Sequence, residues 1–227
     1  MADLVVVVPS RGRPEAAAEL VEAFAETCTA ATRLVFACDE DDPTLDEYVP
    51  EGRSFPPVYA VKPHSMVSAL NDVACKQLHT YAIGFMGDDH RPRTKGWDER
   101  YLDALRDLGT GIVYGDDLLQ REKLPTQCAM TSDIIRALGY MAPPTLTHMY
   151  CDDFWRDLGR QAGCLRYLPD VVVEHMHPIA GKAEWDDGHK RVNAPAVYER
   201  DRIAYARFRA LGEMADAVAK VKALRDA

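Results

Sequence analysis

The sequence predicts an α/β protein with a mainly parallel sheet, and three observations support this. Short apolar runs at Leu4–Val8, Leu34–Cys38 and Tyr81–Met86 are typical of strands buried on both faces. Stretches with apolar residues at helical spacing lie between these runs, as strand–helix–strand crossovers require. Polar residues follow each run directly, so the polar strand ends should meet at one edge of the sheet.

The first half of the chain alternates regularly between the two kinds of element. A helix is predicted over Pro14–Thr27, where Pro14 suits the first turn because a helix start leaves its N–H groups unpaired anyway. Residues 50–57 are rich in turn formers. Further strands and helices are predicted at Val58–Val61, Met66–Leu78, Gly96–Leu108 and Ile112–Tyr114.

The second half is less regular. Its predicted elements are a strand at Cys128–Thr131, helices at Asp133–Leu138 and Asp152–Ala162, and short strands at Leu165–Tyr167 and Val171–Val173. We divide the chain into an α/β domain at 1–178, a mobile lid loop at 179–195 and a C-terminal helix at 196–227. The helix, single or kinked, should pack on the domain or on a partner subunit, which would make a homodimer.

Composition limits the function classes. The 227 residues carry 36 acidic and 27 basic side chains, a net charge of −9, which disfavours binding to nucleic acid by phosphate neutralisation. Six cysteines without a C-x-x-C pair are typical of reduced thiols in a cytosolic protein. Neither a signal peptide nor a membrane span is predicted, so we expect a cytoplasmic location.

Three polar clusters follow the predicted strands and should converge. Ser10 and Arg11 come after the first strand, Asp39 after the second, and the pair Asp88–Asp89 after the third. Adjacent carboxylates repel each other, and Mg²⁺ or Mn²⁺ would relieve that repulsion while holding a substrate phosphate. The alternative is an acidic turn in water.

Two later clusters add candidate chemistry. His175 and His177 point to the same side if their strand continues, so they are either a metal site or packed side chains. Asp152 and Asp153 open a helix, where a carboxylate is either a general base or a favourable partner of the helix dipole.

Taken together, these residues resemble a GT-A fold glycosyltransferase related to family 2, over residues 4–178. The resemblance is carried, in order, by Pro9–Pro14, Asp39, Asn71, the stretch from Phe85 to Asp89 with Gly96–Trp97, and Asp152–Asp153 with Tyr167–Val173 and His175. The first and last of these also resemble small enzymes of bacteriophages and actinobacteria, which implies the host cytoplasm if the protein is phage-encoded.

The chain departs from the family pattern in its D-x-D triplet. The triplet reads Gly87-Asp88-Asp89, so the first aspartate is missing. An alternative register, Asp88-Asp89-His90, would make His90 a ligand. Which of Asp152 and Asp153 is the base, and which of His175 and His177 binds metal, stays open.

The resemblance implies transfer of a sugar from a nucleotide-diphosphate sugar, UDP-linked in the first instance, to a hydroxyl of a protein, glycan or modified nucleobase. It implies inversion, with Asp153 or Asp152 as the base. The metal, Mn²⁺ or Mg²⁺, would be held by Asp89 and His175 or His177. The nucleotide sugar would be held by Pro9, Ser10, Arg11, Arg13, Asp39, Asn71 and Asp88.

Two other functions fit part of the pattern. A nucleotidyltransferase would use the same acids and metal, but it normally has a glycine-rich loop with a lysine, which Pro9–Arg13 lacks. A non-catalytic nucleotide-binding module would not need acidic and histidine clusters at separate strand ends.

Overall fold

The computed structural model describes residues 2–49, 55–62 and 65–226. Most of the turn-rich segment predicted at 50–57 lies outside these ranges. The strands are β1 (Leu4–Ser10), β2 (Thr32–Asp39), β3 (Val58–Val61), β4 (Ala82–Phe85), β5 (His90–Pro92), β6 (Ile112–Asp116), β7 (Cys128–Thr131) and β8 (Leu165–His175). The α-helices are α1 (Pro14–Thr27), α2 (Met66–Lys76), α3 (Trp97–Leu108), α4 (Ser132–Leu138), α5 (Cys151–Ala162), α6 (Asp187–Val192), α7 (Pro195–Ala210) and α8 (Glu213–Arg225).

The strands form one sheet in the order β3-β2-β1-β4-β7-β6-β8-β5. β1 to β4 are mutually parallel, and β6 and β8 are parallel to each other. β7 is antiparallel to its neighbours β4 and β6, and β5 is antiparallel to β8. The prediction of an α/β fold with a mainly parallel sheet is confirmed.

The sheet is covered on both faces, which explains the continuous apolar runs in its strands. Alternate residues of β1 belong to different cores: Val5 and Val7 pack on one side, and Leu4, Val6 and Val8 on the other. Helices α1 and α3 cover one face, whereas α2, α4, α5, α7 and α8 cover the other. The ends of β1, β2 and β4 are thereby held at one edge of a rigid layer.

Three elements differ from the predictions. β8 is one strand of 11 residues, with an irregular register opposite Gly115 and Asp116, where two short strands were expected. β5 was not predicted, because three residues are too few for a periodic pattern. The segment predicted as a lid loop contains the short helix α6.

The C-terminal region consists of two helices and packs on the domain. Gly212 separates α7 from α8 and has a left-handed backbone (φ 88°), which glycine adopts at no steric cost. Tyr205 and Phe208 of α7 and Met214 and Val221 of α8 are buried in the core beside α4 and α5. Among the described residues, no helix is both long and apolar enough to cross a bilayer.

Candidate active site

A cavity of about 790 Å³ opens at the carboxyl ends of β1, β2 and β4. Its volume lies within the range of small-molecule sites. Ten of the twelve predicted site residues line it: Pro9, Ser10, Arg11, Arg13, Asp39, Asp88, Asp89, Asp152, His175 and His177. The cavity therefore unites clusters that are distant in the sequence.

The loop after β1 is tied to the acidic pair after β4. The hydroxyl of Ser10 donates to one oxygen of Asp88 at 2.5 Å, and the guanidinium of Arg13 binds the other at 2.6 Å. Burial raises the pKa of Asp88 to about 6, with Arg13 opposing the shift and Asp89 adding to it. The two loops thus form one polar floor.

A second ion-pair cluster lies where β1 and β2 end side by side. Arg11 binds Asp39 at 3.0 Å and also contacts Asp41. Asp42 accepts the N–H of Gly12 at 2.8 Å, which fixes the loop that carries both arginines. Side chains from the first two strands therefore meet as predicted.

Asp89, His90 and His175 form a compact group of metal-ligating side chains, with ligand atoms within 4.8 Å of one another. Asp89 lies 3.5 Å from Nδ1 of His90 and 3.3 Å from Nε2 of His175. The two imidazole rings stack at 4.2 Å between centroids. The antiparallel pairing of β5 with β8 places His90 directly opposite His175.

The chemistry of this group fits a divalent cation. Nε2 of His90 and Nδ1 of His175 are buried and have no hydrogen-bond partner in the described part of the chain. Burial, followed by the neighbouring His175, lowers the pKa of His90, so its ring is neutral at neutral pH. Neutral imidazoles beside a carboxylate are a ligand set used for divalent transition metals.

Gly87 makes room for this group. It stands where the D-x-D triplet of the resembled family has its first aspartate. A Cβ on residue 87 would lie 2.6 Å from a carboxylate oxygen of Asp89 and 3.2 Å from Nδ1 of His90. The N–H of Gly87 also donates to that nitrogen at 3.0 Å. An aspartate here would displace the side chains that form the group.

His177 lies beside the group. β8 ends at His175, so the strand geometry that would align residues 175 and 177 stops there. Nδ1 of His177 accepts the N–H of Ile179 at 3.2 Å, and its ring lies 5.1 Å from that of His175. Among the described residues, the compact group includes His90 and not His177.

Asp152 and Asp153 differ in their surroundings. Asp152 lines the cavity, and burial, with Asp153 next, raises its pKa to about 6. Asp153 binds Arg156 one helical turn away at 2.7 Å, and it is not among the described residues that line the cavity. Of the two aspartates, Asp152 is therefore the one in contact with the cavity.

Comparison with known proteins gives a fold. No protein-family model and no curated protein matches the chain. Among solved structures, it is similar to the Pyrobaculum calidifontis mannosyltransferase PcManGT in complex with GDP-Man and Mn²⁺ (14% identity, TM-score 0.63, 98% of this chain and 80% of that one). It is also similar to the catalytic domain of Drosophila β1,4-galactosyltransferase 7 (13%, 0.55, 84% and 79%). The chain has a GT-A-like fold.

The S. aureus protein TarS shares this GT-A-like fold. Its 1–349 segment in complex with UDP-GlcNAc matches 99% of this chain at 14% identity and a TM-score of 0.56. This chain spans 43% of the length of the longer TarS chain that it matches.

Asn71 lies on α2, the helix before β4, as predicted, and its side chain binds the backbone of a neighbouring loop. Its side-chain oxygen accepts the N–H groups of Met141 and Ala142 at 2.9 and 3.0 Å, and its amide donates to the Ala142 carbonyl at 2.8 Å. Within the described chain it does not line the cavity. It joins α2 to the loop before α5.

One wall of the cavity was not predicted. It consists of residues 147–151 together with parts of α6 and α7, including Arg191 and Arg200. His148 lies in this wall, and burial lowers its pKa to about 4 despite the opposing charges of Asp201 and Asp89. The only sequence signal was its position four residues before Asp152.

Proposed function

We propose that the protein transfers a sugar from a nucleotide-diphosphate sugar to a hydroxyl acceptor with the help of a divalent metal. One observation carries this proposal. A single cavity on a GT-A-like fold brings together the Ser10–Arg13–Asp88 floor, the group of Asp89, His90 and His175, and the carboxyl group of Asp152. The solved structures with this fold include complexes with GDP-Man and UDP-GlcNAc, which supports a nucleotide sugar as the donor.

The donor half of the cavity suits a nucleotide. Asp39 can accept hydrogen bonds from the base, and Asp88 from ribose hydroxyls, while Arg11 and Arg13 offer forked donors to phosphate. Pro9 and Ser10 would line the same half. We propose UDP as the carrier.

Asp89, His90 and His175 would hold the metal, Mn²⁺ or Mg²⁺. When bound, the cation supplies charge stabilisation for the departing diphosphate. The buried position of Asp89 and the stacked rings keep these three groups in place before any ligand arrives, so little reorganisation is needed.

Asp152 is the proposed general base. Its pKa of about 6 keeps it ionised at neutral pH while making it a better proton acceptor than an ordinary aspartate. It would take the proton of the acceptor hydroxyl as that oxygen attacks the sugar carbon, which passes through an oxocarbenium-like state. Attack from the face opposite the diphosphate gives inversion.

For the acceptor we propose only a class of molecule: a hydroxyl group on a protein, a glycan or a modified nucleobase. A homodimer through the C-terminal helix is likewise a prediction. The cytoplasmic location is a prediction as well.

Thermal-shift binding tests the proposal. We expect one nucleotide diphosphate, and its sugar conjugates, to raise the melting temperature with Mn²⁺ and not with a chelator, because a ligand that binds only the folded state stabilises it. Asp89→Ala should abolish the shift. The control Asp103→Asn, which changes an exposed carboxyl on α3, should keep it. Absence of a shift with every nucleotide tested would contradict the proposal.

A second assay separates the transferase from a nucleotidyltransferase. Incubation with the bound nucleotide sugar and metal should release the free sugar and the nucleoside diphosphate, as slow hydrolysis in the absence of acceptor. Release of pyrophosphate from a nucleoside triphosphate would instead identify a nucleotidyltransferase.

A further inference from the structure

One buried carboxylate on α7 holds the unpredicted wall of the cavity. Asp201 is fully buried and accepts the N–H groups of His148 and Met149, each at 2.8 Å. It also accepts the N–H of Thr147 at 3.2 Å and the hydroxyl of Thr147 at 2.8 Å. Burial opposes ionisation, but these backbone hydrogen bonds hold the pKa of Asp201 below its ordinary value. The Asp201 carboxylate is therefore charged at neutral pH.

The clamped loop leads directly into the helix that carries the proposed base. Tyr150 follows it with a left-handed backbone (φ 69°), which a residue with a large side chain adopts only where its surroundings impose it. The carbonyl of Tyr150 accepts the N–H of Phe154 in the first turn of α5. Asp152 lies within that turn, so the loop that Asp201 holds sets its position.

A second buried aspartate also accepts two backbone N–H groups, away from the cavity and without the ion pair that Asp201 forms with Arg200. Asp98 of α3 is fully buried and accepts the N–H groups of Thr29 and Ala30, each at 3.0 Å. Among the described residues, none of these three lines the cavity. Asp98 is thus a matched control that shares the structural role and not the location.

We propose that Asp201 is a positioning residue for glycosyl transfer. It clamps residues 147–149, and thereby sets His148 and the start of α5, with Asp152, against the reacting end of the cavity. The C-terminal helix α7 then contributes to turnover as well as to packing. This inference rests on the proposed function.

Paired substitutions test it. Asp201→Asn and Asp98→Asn keep side-chain size and remove the charge. Both should lower the melting temperature. We expect Asp201→Asn to bind the nucleotide diphosphate within about twofold of the wild type while kcat for metal-dependent sugar release falls about tenfold or more, because only catalytic geometry is lost. Asp98→Asn should keep both values. Hydrogen exchange should accelerate at 147–149 in the first variant and at 29–30 in the second.

The outcomes are separable. Equal kcat for the two variants, or unchanged exchange at 147–149 in Asp201→Asn, overturns the inference. If Asp201→Asn does not fold, Thr147→Val removes the hydroxyl contacts with Asp201 and Arg200 but keeps the backbone hydrogen bond to Asp201, and it should show the same pattern with a smaller effect. A wild type that binds no nucleotide contradicts the proposed function, whereas the exchange measurement still decides whether Asp201 clamps the loop.

Discussion

The two walls of the cavity are held in different ways. The wall at the ends of β1, β2 and β4 is held by the paired strands themselves, and its side chains also bind one another, as in Ser10 with Asp88 and Arg11 with Asp39. The other wall, residues 147–151 with α6 and α7, has a loop without strand partners that depends on a side chain that binds its backbone, Asp201 with His148 and Met149.

Because of this difference, the two walls should respond differently to the loss of one side chain. Strand ends are placed by a sheet buried on both faces, so losing one ion pair leaves the backbone where it was. A loop without strand partners depends on the few groups that satisfy its N–H donors, and losing one such group frees the backbone itself. Substitutions in the first wall should change affinity, and those in the second should change geometry.

The largest effect is expected at Asp152. Asp152→Asn should lower kcat by about 10²- to 10⁴-fold, because a general base is lost. Donor affinity should change little, since the proposed donor contacts lie in the other wall. The measurement is single-turnover transfer or sugar release, with calorimetric donor binding.

Its neighbour provides the control. Asp153→Asn breaks a partly exposed ion pair with Arg156 and removes one of the charges that raise the pKa of Asp152, so kcat should stay within a few-fold of the wild type. A loss at Asp153 as large as that at Asp152 would assign the base to Asp153 instead.

Gly87→Ala should come next. The added methyl group would displace Asp89 and His90, and affinity for Mn²⁺ should fall about 10- to 100-fold, as when ligand-orienting groups are disturbed. Electron paramagnetic resonance of free Mn²⁺ measures this without any substrate. Unchanged affinity would show that the metal binds elsewhere.

Arg13→Gln should destabilise the protein in a pH-dependent way. At pH 8 Asp88 is ionised and would lose its hydrogen bond from the guanidinium, at a cost of about 2 kcal/mol in the free energy of unfolding. At pH 5, below its pKa of about 6, Asp88 is mostly protonated and the loss should be smaller. Urea unfolding at both pH values measures the difference, and a greater loss at pH 5 would contradict this assignment.

The smallest functional effect is expected at Asn71. Asn71→Ala leaves the N–H groups of Met141 and Ala142 without their acceptor and should cost about 1–3 kcal/mol of stability. Donor affinity of the folded protein should be unchanged. Weaker donor binding would restore Asn71 to the nucleotide site that the sequence predicted.

The elements around the wall at the ends of β1, β2 and β4 were predicted from the sequence, whereas the other wall was not. The strands from β1 to β4 and helices α1, α2 and α3 were predictable because buried parallel strands and amphipathic helices have distinct periodicities. The convergence of Arg11 with Asp39, and of Ser10 with Asp88, followed from the shared edge of parallel strands. Ten predicted residues accordingly line one cavity.

What escaped prediction depends on contacts that no local pattern encodes. β5 exists because His90–Pro92 pairs with a strand far along the chain. From the sequence, the Asn71 amide could bind either a ligand or backbone N–H groups. The fold decides this by placing the N–H of Met141 within hydrogen-bond distance of it. In the sequence, Asp201 is one of many charged residues in a predicted helix. Its hydrogen bonds with the loop at 147–149 depend on the tertiary fold.

The pairing of β5 with β8 has a consequence for folding. His90 and His175 are far apart in an unfolded chain, and only the formed edge of the sheet brings them together with Asp89. A cation bound to this group would link the edge strand β5 to its neighbour β8, and a chelator would remove that link. Metal supply would then govern how long the sheet edge persists, in addition to its role in the proposed transfer reaction.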